Sequence, residues 1–412
     1  MKKKKVYIFN GTSRAAVYGI GTYIDQLTNC LKKTDIDFEV VHLYSEGKEV
    51  AINEKDGYKQ ISIPAVGSYD TKSSRYYSST VAYLLREYIP DDKNTQYIFH
   101  LNFMTNSYLV TSLRRLFKCK IILVAHYTNW SFSLLGDYEK LKTIISKNIR
   151  ELNKEEKQIR KSICEDMKMI NKCDRFVCVA QHTLDSFIDS CKIDATKSFV
   201  INNALEDAYV EMSEKEKQTL KKKYHIPEAT QIILFAGRLD EVKGISFLIK
   251  AFKKILEDNP NAHLFIAGEG DFNRWLSVAK DCWTRITFTG RLDKKQLYEF
   301  YYIANIGIVS SIHEEFGLVA IEMMMHQLPI IVTNTSGLSD IVEDNISGLK
   351  VPVNIIENKR VIDENNLANK INFLLDNLSY AHKLGFNGRK RFLEKYEITT
   401  FKEKMLNLYH NI

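Results

Sequence analysis

Short apolar runs recur along this chain with amphipathic stretches between them, and the series runs twice. In the first half the runs fall at 6–9, 38–43, 97–101, 121–125, 176–180 and 199–201. Their apolar residues are consecutive rather than alternating, which is the pattern of strands buried on both faces of a parallel sheet. Helical spacing lies between several of them, at 18–32 and 81–88. A long, charged, proline-free helical region at 137–171 interrupts the series. After a charged stretch at 206–224 the alternation restarts. Strands are expected there at 232–236, 263–267, 286–288, 306–309, 330–333 and 349–351, and helices at 245–256, 294–304, 319–326 and 338–342. The closing segment is helical, with a break near 396–399. No short-period repeat accompanies the pattern. Two such series predict an α/β protein of two Rossmann-like domains joined by a linker.

Composition agrees. At 412 residues, 45% hydrophobic and 26% charged, the chain has room for two domains with full cores, and disorder or collagen-like repetition is excluded. No apolar run approaches the ~18 residues of a membrane-spanning helix. Lys2, Lys3, Lys4 and Lys5 resemble the start of a secretory signal, but the apolar run that follows is too short for one. They read as a basic tail feeding the first strand of a cytoplasmic protein. The cysteines (Cys30, Cys119, Cys164, Cys173, Cys178, Cys191 and Cys282) are odd in number and make no CxxC pair. Buried reduced thiols are expected rather than disulfides or zinc. The net charge of +7 suits anionic small molecules or an acidic membrane surface as well as nucleic acid. The lysines form no RNA-binding motif and no zinc-finger spacing is present, so nucleic acid is not expected as a partner.

Ligands of open parallel sheets gather beyond the carboxyl ends of the strands, so the loops there hold the candidate chemistry. After 232–236 comes Gly237-Arg238-Leu239-Asp240-Glu241-Val242-Lys243-Gly244. Two cations between glycines, just before a helix, suit phosphate: Arg238 offers a fork of donors and Lys243 a point charge. The alternative is a solvated charged turn. After 306–309 comes Ser310-Ser311-Ile312-His313-Glu314-Glu315-Phe316-Gly317-Leu318, with Glu322 further on. Gly317 is expected to open a helix, and the N–H groups of Phe316, Gly317 and Leu318 could cradle a pyrophosphate. Glu322 lies among apolar residues. It either has a partner, such as a pair of ribose hydroxyls, or occupies a narrow exposed face. Gly19 and Gly21 follow the first strand, but Ile24 stands where a dinucleotide fingerprint needs a third glycine. His126 ends the strand at 121–125 and reads either as a structural histidine or as a sugar contact. Asp35-Ile36-Asp37 precedes a strand, so it reads as a solvated turn and not as a metal-binding pair.

Taken together, these residues resemble retaining glycosyltransferases of family 4 (glycosyl transferases group 1), which have two Rossmann-like domains facing across a cleft, the GT-B fold. Phe235-Ala236-Gly237-Arg238-Leu239 with Lys243-Gly244 looks like the family's donor-diphosphate loop. Glu314 through Glu322 looks like its spaced glutamate motif. Val200-Ile201-Asn202-Asn203-Ala204-Leu205 is similar to its interdomain stretch, and Thr335-Ser336-Gly337-Leu338 and Gly348-Leu349 match downstream features. The resemblance implies an N-terminal acceptor-binding domain over 1–205 and a nucleotide-sugar-binding domain over 206–398. A C-terminal helix, 399–412, would pack back on the first domain.

The resemblance also implies roles. Arg238 and Lys243 would neutralise the donor diphosphate, Glu322 would hold the ribose, and Glu314 would bind sugar hydroxyls near the reacting carbon. Gly19 and Gly21 would leave room for the donor, and His126 would contact its sugar. Transfer would proceed with retention, with no cofactor and no obligatory metal, from a UDP-sugar rather than a GDP-sugar. The acceptor would be a glycan, a lipid-linked glycan or a peptide. Arg14, Tyr18, Asn102, Tyr127 and Trp130 are its polar and aromatic candidates. Glu315 departs from the family pattern and adds charge beside the diphosphate loop: it either turns outward to solvent or, pointing inward, puts the implied donor geometry in doubt. The basic tail reads as solvated, with contact to the inner face of an anionic membrane as its alternative. Three other activities fit less well: a catalytically silent scaffold of the same fold, a phosphorylase or synthase acting on glucose phosphates, and a dinucleotide-dependent oxidoreductase. The intact charged residues speak against the first, the lack of a pyridoxal-phosphate lysine segment against the second, and the displaced glycines against the third.

Overall fold

The structure is a computed structural model that describes residues 3–11, 19–66, 71–104, 107–357 and 359–412. The chain separates into two compact units, Met1–Ala204 with Ile398–Ile412, and Leu205–Glu397.

The first unit runs β1 (Lys3–Gly11), α1 (Gly19–Leu31), β2 (Asp37–Ser45), β3 (Ala51–Lys55), β4 (Tyr58–Pro64), α2 (Thr71–Tyr88), β5 (Thr95–Leu101), α3 (Ser107–Leu116), β6 (Cys119–Ala125), α4 (Asn129–Leu134), α5 (Tyr138–Ser146), α6 (Lys154–Ile170), β7 (Arg175–Cys178), α7 (Gln181–Cys191) and β8 (Ser198–Val200). Its sheet order is β3-β4-β2-β1-β5-β6-β7-β8. Every pairing is parallel except the β3–β4 hairpin. β1 is central: Val6 registers with Phe38 on one side and Ile98 on the other. Val6, Tyr7, Ile8 and Phe9 are wholly buried, as strands covered on both faces require. The expected helix over 137–171 is two helices, because Asn153 starts α6 with a capping box to Glu156.

The second unit runs α8 (Glu214–Lys223), β9 (Gln231–Ala236), α9 (Ile245–Asp258), β10 (Ala262–Ala267), α10 (Phe272–Val278), β11 (Ile286–Gly290), α11 (Lys294–Ile303), β12 (Ile306–Val309), α12 (Leu318–Met325), β13 (Ile330–Asn334), α13 (Ser336–Ile341), β14 (Leu349–Ile356), β15 (Lys359–Ile362), α14 (Glu364–Asp376) and α15 (Leu378–Lys395). The order is β11-β10-β9-β12-β13-β14-β15, parallel but for β14–β15. The charged stretch expected as a linker is largely built into this unit. Ser213 caps α8 with Glu216, and Asp207 takes both NH groups of Arg389 at 3.0 and 2.8 Å.

The last helix, α16 (Ile398–His410), belongs to the first unit. Phe401 packs edge-on against Tyr23 of α1, and the Tyr409 hydroxyl lies 2.7 Å from His100 Nδ1. Its carboxyl end is held by cations, as the helix dipole favours: Lys4 Nζ donates to the carbonyls of Tyr409 and His410, and Arg175 to that of Asn411. The basic tail is therefore not simply solvated. Lys4 caps a helix, while Lys5 pairs with Glu39 at 2.7 Å and Lys3 approaches Asp37; Lys2 lies outside the described residues. Asp37, the second acid of the expected solvated turn, serves these lysines. All seven cysteines are free thiols, and Cys164 is exposed rather than buried. Among the described residues no helix is long and apolar enough to cross a membrane.

Candidate functional site

In the second unit the chain order reverses between β9 and β12, which are hydrogen-bonded neighbours. Such a switch point opens a crevice beyond the strand ends, and the two charged loops follow these two strands. They are tied together: Ile312 N–H donates to the Val242 carbonyl at 2.8 Å, and Ser310 Oγ to that of Lys243 at 2.9 Å. Asp240 caps the single turn Glu241–Lys243. Gly244, at φ +65°, then starts α9 where any Cβ would sit 2.0 Å from the Ser310 carbonyl oxygen. The close approach of the loops thus depends on glycine.

This packing brings Lys243 and Glu314 together as an ion pair, with Ser311 Oγ donating to the same glutamate oxygen at 3.2 Å. Both side chains are about one-fifth exposed, 18% and 20%. Arg238, in the same loop, pairs with Asp240 at 3.2 Å and is more open. Gly317 starts α12 as expected, and the amides of that first turn lack intrahelical acceptors. The Phe316 ring itself is buried against Tyr396. Beneath the loop, Gly337 N–H donates to the Glu314 carbonyl at 2.8 Å.

Glu322 lies partly buried on α12 and accepts from the Tyr301 hydroxyl at 3.0 Å. Burial pushes its carboxyl above the usual range, opposed by the Tyr301 hydrogen bond and Lys294. Glu315 does not turn outward. It is buried, with Oε1 3.3 Å from Nε2 of His313, whose Nδ1 is 3.0 Å from Ser336 Oγ. A buried imidazole that faces the carboxylate provides the partner that solvent would otherwise supply.

In the first unit the order reverses at β1, flanked by β2 and β5. Gly19 and Gly21 form the opening turn of α1, after β1. Arg14 and Tyr18 lie outside the described residues. Asn102 follows β5 and His126 follows β6. Asn102 Nδ2 donates to the Phe9 carbonyl at 3.1 Å, so its Oδ1 accepts from His126 Nε2 at 3.0 Å. Burial, helped by His100, pushes the His126 ring down to about 3, so it is neutral.

Trp130 is not an exposed aromatic contact. It is 1% exposed in the core, stacked edge-on against Phe187, and its indole N–H donates to Asp166 Oδ2 at 2.9 Å. Asp166 is the residue that sequence reasoning missed. It is 4% exposed on α6, and it lines a cavity with Asn102, His126, Tyr127 and Asn129. Burial pushes its carboxyl up to about 7, against the pull of the Trp130 hydrogen bond. Its sequence context, charged and helical, reads as a solvated face.

Two family models match, one after the other: Glycosyltransferase Family 4 over residues 17–209 and Glycosyl transferases group 1 over 216–391. An uncharacterised glycosyltransferase of Methanocaldococcus jannaschii is 29% identical over 206 residues, 48% of this chain and 50% of that one. The lipopolysaccharide 1,2-N-acetylglucosaminetransferase of Salmonella typhimurium is 25% identical over 251 residues, 57% and 63% of the two chains. The chain thus spans about half to three-fifths of the length of these relatives. Among solved structures, the sucrose-phosphate synthase of Thermosynechococcus elongatus superposes with a TM-score of 0.77 at 20% identity, covering 99% and 98% of the two chains. Anabaena HepE, solved in complex with UDP and glucose, superposes with a TM-score of 0.71 at 13% identity, covering 99% and 100%. Two consecutive family matches on two parallel-dominant α/β sheets, with charged loops at the strand ends, give one answer: the chain belongs to glycosyltransferase family 4, the glycosyl transferases group 1, and has the GT-B fold.

Proposed function

We propose that the chain transfers a sugar from a nucleoside-diphosphate sugar to an acceptor hydroxyl, with retention of configuration and without an obligatory metal. The observation that carries this reading is the junction of the β9 and β12 loops, which sets Lys243 against Glu314 at a switch point, with Arg238 beside them. As the sugar leaves, negative charge grows on the diphosphate. Fixed cations there stabilise the transition state more than the ground state. Glu314 receives sugar hydroxyls, the first-turn amides of α12 receive phosphate oxygens, and Glu322 receives the ribose hydroxyls. His126 offers a neutral imidazole to a sugar hydroxyl. A UDP-sugar is favoured over a GDP-sugar, in keeping with the UDP and glucose held by HepE. The acceptor is a glycan, a lipid-linked glycan or a peptide.

The test is a donor screen. UDP-, GDP-, ADP- and dTDP-sugars are offered to the purified protein, and thermal shift and slow nucleotide release are recorded, with Glu322→Ala as control. Stabilisation by one nucleotide family, lost in the variant, supports the reading. No response from a folded sample sinks it in favour of a silent scaffold. Once a donor is found, nucleotide release is expected to survive a chelator; loss on chelation, restored by a divalent ion, contradicts the metal-free mechanism.

A further inference from the structure

The first unit holds a second constellation, centred on Asp166. One carboxylate oxygen, Oδ2, is fixed from behind by the Trp130 indole N–H at 2.9 Å. The other, Oδ1, takes no hydrogen bond from the described residues, although the side chain is buried and belongs to a cavity wall. His126 lines the same cavity. Its Nε2–H is spent on Asn102, which leaves Nδ1 as a bare acceptor. The cavity volume is about 20 Å³, enough for one oxygen-sized group. A buried carboxylate oxygen without a partner beside so small a space calls for a hydrogen-bond donor, and a hydroxyl meets that need without bringing a charge into the core.

We propose that this cavity is a hydroxyl subsite, in which Asp166 Oδ1 accepts a hydrogen bond from one hydroxyl of a sugar substrate while Trp130 holds the carboxylate in place. The proposal rests on the glycosyltransferase reading and adds to it a recognition residue on α6, outside the strand-end loops.

Asp166→Asn is the informative variant. The Trp130 N–H needs an acceptor, so the asparagine oxygen faces the indole and its NH₂ group faces the cavity. The acceptor becomes a donor with little change in shape. Wild type and variant are titrated with UDP alone, with a panel of UDP-sugars, and with methyl glycosides of glucose, galactose and N-acetylglucosamine read by saturation-transfer NMR. UDP alone is expected to bind both proteins equally. At pH 8, where the Asp166 carboxyl is mostly ionised, one sugar probe is expected to bind the variant about tenfold more weakly, the usual cost of losing a hydrogen bond to a charged group. The monodeoxy form of that probe, lacking the recognised hydroxyl, is expected to bind both alike. A loss confined to the glycosides assigns the hydroxyl to the acceptor, and one confined to UDP-sugars assigns it to the transferred sugar. Equal sugar binding by both proteins, with UDP binding intact, overturns the subsite and leaves the cavity to a structural water. Absence of binding by UDP and by every other nucleotide of the donor screen in the wild type overturns the underlying functional reading instead. Trp130→Phe, which frees the carboxylate but keeps an aromatic ring, guards against misfolding of the first variant; it should weaken the same probe and no other.

Discussion

Lys243 and Glu314 form an ion pair beside the more open Arg238, and an arriving diphosphate offers the lysine a competing anion. Lys243→Met is expected to weaken UDP binding about tenfold or more, as loss of a charge-assisted phosphate contact does. Glu314→Gln removes the competitor, so it should leave UDP binding unchanged or tighter while lowering nucleotide release. Calorimetry with UDP separates the two, and equal weakening in both variants contradicts this division of roles. Glu322 gives a pH signature. Burial raises its carboxyl, so it gains a proton at a higher pH than an ordinary carboxylate, and the neutral acid accepts one ribose hydroxyl less well. As the pH is lowered, UDP affinity should fall more steeply in wild type than in Glu322→Gln, the slope common to both belonging to protonation of the UDP phosphate; equal slopes would assign the effect elsewhere. At this scale the sequence was legible where charge met glycine: Arg238, Lys243 and Glu314 stand in loops that have no apolar reason to exist. It was misleading at Trp130 and silent at Asp166. Which way a side chain points from a helix is decided by what packs on that helix.

The elements follow the same division. Strands buried on both faces were readable from consecutive apolar residues, because each face has to meet a helix layer. The β3–β4 hairpin is not among the expected strands although it carries a turn signal: Asp56 and Gly57 both have positive φ between Lys55 and Tyr58. β3 is exposed along its whole length, so it lacks the apolar pattern that marked the other strands. β15 escaped for a similar reason, being an antiparallel edge strand with little buried surface. The junction of the two charged loops makes a sharper prediction. Gly244→Ala puts a methyl group 2.0 Å from the Ser310 carbonyl oxygen at φ +65°. It should cost about 2 kcal/mol from the left-handed backbone and the forced separation of the loops, and should abolish the UDP-induced thermal shift. Denaturant unfolding with and without UDP checks both; a variant of normal stability would mean that the loops part freely.

At the scale of the whole molecule, α16 comes last in the chain but completes the first unit. His100 is fully buried between two hydroxyls, Tyr409 at Nδ1 and Tyr23 at Nε2, and burial holds its ring at about 3. Tyr409→Phe strands one ring nitrogen and should destabilise the first unit by about 1–3 kcal/mol. Calorimetry should show its transition shifted down while the UDP-responsive transition of the second unit stays in place; a joint shift would mean the units unfold as one. Asp166 adds a pH dependence to the first unit. Its folded carboxyl sits near 7, against 3.8 as its ordinary value. The folded state therefore binds the extra proton, and the stability present below about pH 4 is lost as pH rises towards 7. Asp166→Asn cannot ionise, so urea unfolding at pH 4.5 and 7.5 should show a smaller decline than in wild type. Identical declines would place the titration on another group.

The two-series α/β architecture, the strands of both sheet centres, the family and the residue types of the charged loops are legible along the chain. These are set by local periodicity and by short motifs whose spacing is covalent. Packing sets the rest: Lys243 meets Glu314, Glu315 turns inward to His313, Trp130 is buried behind Asp166, and Lys4 caps the last helix. Each of these joins residues from separate elements or fixes which way a side chain is buried. Burial and pairing depend on what the rest of the chain packs against a residue, and no local pattern carries that information.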